Sequence, residues 1–337
     1  MRIFPRKGDW IFLILRWAIL LLVSILGLLF FTKMPGSSYS GPLQPLSAYE
    51  QEVSTKLKQQ IFMLAEKIGE RNIYQHSNLK ASAYYIERAM TELGYEVSKQ
   101  EYVVKDVPVE NLEWELVGVR HPEEIILVGA HYDSVFSSPG ANDNASGVAA
   151  VLEIARLLKT ETLSRTVRFV TFVNEEPPFF QTDKMGSRVY ASRARQRGEK
   201  IVAMLSLETI GYYSNEKGSQ NYPFPFSFFY PDTGNFIGFI GNVSSRSLVR
   251  KAIKVFRSST AFPSEGIAVP RWIMRTDWSD NWSFCKEGYP AIMITDTALF
   301  RYQYYHSQQD VPDKIDYERM ARVVVGISRI VRELSQN

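Results

Sequence analysis

Four histidines occur in the 337 residues, at positions 76, 121, 131 and 306, and two of them lie in polar clusters that follow apolar, β-prone runs. The run 125–130 ends in His131-Tyr132-Asp133-Ser134, and a glycine-bounded segment carrying Asp143 follows at 140–147. The run 166–173 ends in Asn174-Glu175-Glu176, the run 201–207 in Glu208, and the loop after 291–295 delivers Tyr305-His306-Ser307 ahead of Asp310. Imidazole and carboxylate donors without thiolate suit zinc, manganese or cobalt. The single cysteine, Cys285, excludes a thiolate site and an intrachain disulfide framework. His131, Asp143, Glu176, Glu208 and His306 supply the donors that two divalent ions need when one carboxylate is shared and water completes the shells. Charge closes as well: the three carboxylates and one bridging hydroxide neutralise two dications, which matters where the dielectric is low. Neighbouring residues on an extended chain point in different directions, so Glu176 can bind metal while Glu175 handles the proton of the bridging water. His76 and His121 lack such company and read as structural.

These residues need a scaffold that gathers strand ends. β-like runs fall at 95–104, 112–119, 125–130, 166–173, 201–207 and 291–295, several of them continuously apolar, as in strands covered on both faces. Helical periodicity appears at 48–70, 78–93, 145–159, 184–196, 245–257 and 316–334, with Gly94 stopping the second stretch. The alternation predicts an α/β fold with a mixed, mostly parallel central sheet, helices on both faces, and functional loops at the carboxyl ends of the strands.

On these motifs the chain resembles the M28 family of zinc peptidases, which includes dizinc aminopeptidases and the related glutaminyl cyclases. The likeness spans roughly residues 50–335 and rests on His131 to Ser134, Gly140 to Gly147, Asn174-Glu175-Glu176, Ser206-Leu207-Glu208-Thr209-Ile210-Gly211, and His306 with Asp310. It implies a three-layer aminopeptidase-like sandwich and two zinc ions. In that pattern His131 and Glu208 bind one ion, Glu176 and His306 the other, Asp143 bridges, and Glu175 is the general base and acid. Asp133 matches the carboxylate that steadies a ligand imidazole, and a cis peptide is implied between Asp143 and Asn144. The family more often has aspartate where Glu208 stands, and Ser-Asp-His where this chain has Ser279-Asp280-Asn281. The function so implied is hydrolysis of peptides from the amino end. The alternatives are a cyclase of the same fold using one zinc, and a non-catalytic, receptor-like member.

The rest of the chain speaks to location. Residues 11–31 are apolar except for Arg16 and Ser24, and at about 1.5 Å rise per residue they reach the thickness of a bilayer core. Arg2, Arg6, Lys7 and Arg16 precede the segment or lie in its first turns, and only Lys33 marks its exit, so the positive-inside bias leaves the amino terminus cytoplasmic. No small-residue cleavage site follows, which favours an uncleaved single-pass anchor over a removed signal peptide. The expected organisation is a basic segment 1–10, a transmembrane helix 11–31, a linker 32–47 and a peptidase-like domain 48–337. A formal charge of +3 from 39 basic and 36 acidic residues, without a basic stripe, argues against nucleic acid as a partner. Two proline-broken aromatic stretches, Pro177-Pro178-Phe179-Phe180 and residues 222–230, are candidates for the walls or cap of a cleft, and Asp277 and Asp280 for capping a turn.

Overall fold

The computed structural model describes residues 7–271 and 276–336; Arg2 and Arg6 lie outside the described residues. The chain divides into two units, Met1–Lys33 and Met34–Asn337. The first contains helix α1 (Lys7–Thr32), within which Trp10–Thr32 has a mean hydropathy of 2.6 and is long and apolar enough to cross a membrane.

The second unit has its own core. Helix α2 (Ala48–Ile61) starts at a capping box in which Ser47 and Glu50 exchange hydrogen bonds, and a wider π-helical stretch, Phe62–Ile68, continues it until Gly69 ends the run. Helix α3 (His76–Glu92) follows. The sheet is then laid down by β1 (Ser98–Val104), β2 (Val107–Leu116), β3 (His121–His131), β4 (Arg165–Phe172), β5 (Lys200–Glu208), β6 (Ile237–Gly241), β7 (Ser264–Ala268) and β8 (Ala291–Thr295). Between them run α4 (Gly147–Leu158), α5 (Gly186–Gln196), α6 (Arg246–Ser259) and α7 (Asn281–Lys286), with α8 (Ala298–Arg301) and α9 (Tyr317–Gln336) after the last strand.

Spatial order is β1-β2-β4-β3-β5-β8-β6-β7. The middle four strands, β4, β3, β5 and β8, are parallel, whereas β1 and β2 join antiparallel at one side and β6 runs against β8 at the other. Parallel strands are sandwiched between helical layers, so their runs are apolar on both faces: in β3, Ile125 through His131 are all buried. One face carries α4, α9 and α6, whose Val148, Val151, Ile327, Val331 and Phe256 join a single large core. The other carries α5 and α7 over a smaller cluster built on Phe172, Tyr190 and Phe284.

The two short strands β6 and β7 have no counterpart among the expected runs. Their sequences, IGFIG and SEGIA, contain glycines that weaken any strand signal, and they are strands because their neighbours in the sheet pair with them. Residues 222–230 contain only a single 3-10 turn, Phe226–Phe228, as their prolines require.

Helix α9 crosses α6 at Gly326, where a Cβ would collide with the Phe256 ring and approach Thr260 Oγ1 to 2.7 Å. Phe256 sits in the packed core, so the contact cannot relax cheaply. Gly326→Val is therefore expected to lower unfolding stability by about 2–3 kcal/mol without altering the strand-end cluster described below. Urea denaturation of the variant beside the parent protein measures it.

Candidate metal centre

The four parallel strands end side by side. His131 is the last residue of β3 and pairs with Phe172 at the end of β4; Glu208 is the last residue of β5 and pairs with Thr295 at the end of β8. The loops that leave β4 and β5 turn at once, with Asn174 (φ 58°) and Thr209 (φ 45°) in the left-handed region, and His306 (φ 56°), farther along after β8, adopts it too. Asp143 comes from the entry to α4, and the peptide between it and Asn144 is cis. Gly140 opens that segment at φ 61°, and a Cβ there would lie 2.7 Å from Ser134 Cβ, so only glycine fits.

All five expected donors and Glu175 converge. Nε2 of His131 lies 3.3 Å from Asp143 Oδ1, 3.3 Å from Glu208 Oε2 and 3.8 Å from Glu175 Oε2. Nε2 of His306 lies 3.1 Å from Asp143 Oδ2 and 3.3 Å from Glu176 Oε2. Asp143 thus presents one oxygen to each imidazole. The His306 ring stacks on Tyr305 with centroids 3.9 Å apart. Of the set only His306 is appreciably exposed, so access is from its side.

The electrostatics follow from crowding acids in a dry place. Burial opposes charge on Asp143, but the His131 and His306 imidazoles facing its two oxygens outweigh it and hold the carboxyl below its ordinary value. Burial and the nearby Asp143 push Glu176 up to about 7, and burial together with the surrounding carboxylates pushes Glu175 well above a normal glutamate. Burial opposes charge on His306, yet Asp143 and Glu176 carry it up to about 10. Every one of these shifts says that positive charge is welcome at this point. Divalent cations fit the donor set. Nε2 of His131, Oδ2 of Asp143 and Oε1 of Glu176 are buried without a hydrogen bond, and donor atoms group within 4.8 Å as His131–Asp143–Glu208 and as Asp143–Glu176–His306. Such nitrogen and oxygen donors suit zinc, manganese or cobalt.

Main-chain bonds fix the donors. Asp133 accepts from the backbone N–H of Glu175 and of Glu176, each at 3.1 Å, which aims the two glutamates. Its backbone carbonyl lies 3.1 Å from His131 Nδ1 and its carboxylate at 3.4 Å, so this residue steadies the imidazole and the glutamate turn together. Asp310 accepts from the N–H of Asn142 and Asp143 and from the Tyr302 hydroxyl. Ser279 donates to Glu208 Oε2 at 2.6 Å. Asn281, in the position where the family often has histidine, donates to the Thr276 carbonyl and holds its own loop. Asp280 does not cap α7 through its side chain; it is buried, which pushes its carboxyl up to about 7. His76 bonds the Pro108 carbonyl and His121 sits exposed at the start of β3, both away from the centre. Asn144 and Asn281 fall in sugar-acceptor patterns but are buried.

Arg71 has no motif to announce it. It is wholly buried, and its guanidinium donates to the carbonyls of Tyr132, Gly69, Pro139 and Gly140. The Tyr132 carbonyl adjoins His131, and those of Pro139 and Gly140 belong to the loop that leads to Asp143. Burial brings Arg71 down to about 10, against the pull of Asp310, Asp133, Asp143 and Glu176.

A cavity of about 360 Å³ opens beside Glu208 and Tyr305, walled in part by Tyr222, Pro223 and Tyr230 of the aromatic stretch. Phe179 of the other stretch packs, buried, next to Glu176 in a separate small cleft.

The model of peptidase family M28 matches residues 111–331. The chain belongs to this family. It is 38% identical to the Escherichia coli (strain K12) protein YfbL over 281 residues, covering 81% of this chain and 85% of that one. It is 39% identical to aminopeptidase YwaD of Bacillus subtilis over 105 residues, 31% of this chain and 22% of that relative. Among solved structures its M28 fold superposes on BSAP, a zinc aminopeptidase from Bacillus subtilis, with a TM-score of 0.68 at 16% identity over 87% of this chain and 97% of that one. The glutaminyl cyclase of Porphyromonas gingivalis superposes with a TM-score of 0.62 at 19% identity, over 85% and 98%.

Arg71→Lys retains the charge but offers one point of donation where four carbonyls now share a planar fork. Leaving buried carbonyls unpaired is expected to cost on the order of 3 kcal/mol of stability and to weaken zinc retention on dialysis. Denaturation curves and metal analysis of the dialysed variant read the two effects.

Proposed function

We propose that this M28 chain is a zinc-dependent aminopeptidase that removes residues from the amino end of peptides, with two zinc ions at the strand-end cluster. One ion would be held by His131 and Glu208, the other by Glu176 and His306, with Asp143 shared. The observation that carries the reading is the shared carboxylate, whose two oxygens lie 3.3 Å and 3.1 Å from different imidazoles. When bound, the ions supply a Lewis acid for the scissile carbonyl and a water of lowered pKa.

The protein's own residues do the remaining work. Glu175, whose Oε2 lies 3.8 Å from Nε2 of His131 on the side of the assigned ligands, is left over by this assignment, and burial raises its proton affinity. It takes the proton from the attacking water and returns it to the leaving amine. Asp133 fixes the backbone of Glu175, so base and ligand turn as one. The buried strand ends exclude bulk water and strengthen each electrostatic contact. For the whole chain we infer the organisation 1–10, 11–31, 32–47 and 48–337, with α1 as a single-pass anchor, the amino terminus cytoplasmic and the peptidase domain outside. The apolar length of Trp10–Thr32 and the basic residues before it support this.

Glu175→Gln removes the proton carrier and none of the assigned ligands. Turnover of unblocked peptides is expected to fall by at least about a hundredfold while zinc content stays near two per chain. Full activity in that variant would remove Glu175 from the mechanism. Chelator treatment is expected to abolish, and added zinc to restore, release of free amino acids from unblocked but not amino-blocked peptides. Release of ammonia from glutaminyl peptides with one zinc bound would instead make the chain a cyclase.

A further inference from the structure

The floor of the cavity beside Glu208 can be followed residue by residue through the sheet register. Glu208 on β5 pairs with Thr295 on β8, Thr295 with Gly238 on β6, and Gly238 with Glu265 on β7. Residues directly opposite in a sheet share a face, so these four form one row, and all four line the cavity. The next row on that face, Met293, Ile240 and Ile267, is apolar. Strands lie about 4.8 Å apart, so the row from Glu208 to Glu265 spans roughly 14 Å. Of its two middle members, Thr295 and Gly238, the second has no side chain and leaves a trough, lined also by Thr297, Tyr222, Tyr230 and Phe300.

Glu265 therefore sits at the far end of an apolar trough whose near end is the metal centre. Among the described residues its ion-pair partner is Arg257, with Nη2 at 3.7 Å, too long for a hydrogen bond. Arg257 is committed elsewhere: Nε donates to Ser264 Oγ, Nη2 to the Ser264 carbonyl at 2.7 Å, and Nη1 to the carbonyls of Pro35 and Gly36. Burial raises the Glu265 carboxyl above an ordinary glutamate, with Arg257 and a hydrogen bond from Ser38 only partly offsetting it. A cation arriving through the trough would add to the Ser38 hydrogen bond and the more distant Arg257 a charged partner at hydrogen-bond distance.

We propose that this trough receives the side chain of the substrate's first residue and that Glu265 makes it selective for lysine and arginine. The length agrees. A lysine side chain has five bonds beyond Cα of about 1.5 Å each, giving a reach of roughly 6 Å. Contact distances of about 4 Å at each end, to the centre and to the carboxylate, complete the span. The methylene stem lies over Gly238 between apolar walls while the charged head reaches Glu265. A leucine or phenylalanine stops short and leaves the carboxylate facing apolar atoms, and an acidic residue meets a like charge. The assignment rests on the aminopeptidase reading above, and its test separates the two.

Chromogenic amides of lysine, arginine, leucine, phenylalanine and alanine, given to the full-length zinc-loaded protein, measure the preference. Lysine and arginine are expected to exceed leucine and phenylalanine in kcat/KM by at least about tenfold. Glu265→Gln is expected to erase that advantage, chiefly through KM, with the alanine amide unchanged as the check on folding and on the catalytic centre. A parent protein that prefers leucine or phenylalanine, or an advantage that survives in Glu265→Gln, overturns the assignment. If no amide is turned over, the aminopeptidase reading fails, and calorimetric titration still decides the pocket. Tighter binding of L-lysinamide than of L-norleucinamide, lost in Glu265→Gln, upholds it; equal binding of the two refutes it.

Discussion

Carboxylates drawn together in a dry space repel one another, and the catalytic unit is built around holding Asp143, Glu175, Glu176 and Glu208 close to two imidazoles in spite of that. Asp143 is the pivot, because each of its oxygens faces a different histidine. The cost of gathering such charge falls away only when cations neutralise it. The raised proton affinities of Glu175, Glu176 and both histidines and the hydrogen-bond-free atoms at the centre express that one requirement. A centre of this kind has to be clamped by its surroundings, since its own groups would otherwise drift apart.

The clamp is made largely of main-chain hydrogen bonds. Asp133 grips the N–H groups of Glu175 and Glu176, Asp310 those of Asn142 and Asp143, and Arg71 gathers carbonyls from the two loops that flank His131 and Asp143. Peptide groups give these acids and this arginine rigid partners, so the orientation of a donor follows from the path of its loop. Side chains outside the cluster thereby set the positions of those within it.

The sheet also shapes what can approach. Its central parallel strands deliver donors at their carboxyl ends, while β6 and β7 extend the same surface away from the centre as the floor of a cavity. The aromatic stretch, kept out of regular structure by its prolines, lies over that floor. Chemistry and selection are therefore adjacent regions of one sheet, separated by the distance between strands.

Much of this was legible in the order of residues alone. Apolar runs followed by histidine or acid mark strand ends, because a parallel strand is buried on both faces until it leaves the sheet, and the central strands and the donors at their ends could be read on that ground. The long apolar segment near the amino terminus is equally local, since length and composition suffice to describe it. Arg71 and the row from Glu208 to Glu265 left no such trace. An arginine between Glu70 and Asn72 looks like any surface charge, and IGFIG and SEGIA look like loops, until strand pairing brings residues far apart in the chain into register. Type and local spacing determine what a side chain can do, but burial, partners and distance arise only when separate segments pack. That is why the side chains gathered at the strand ends could be expected from the sequence, whereas the residues that aim them and the trough beside them were decided by the tertiary structure.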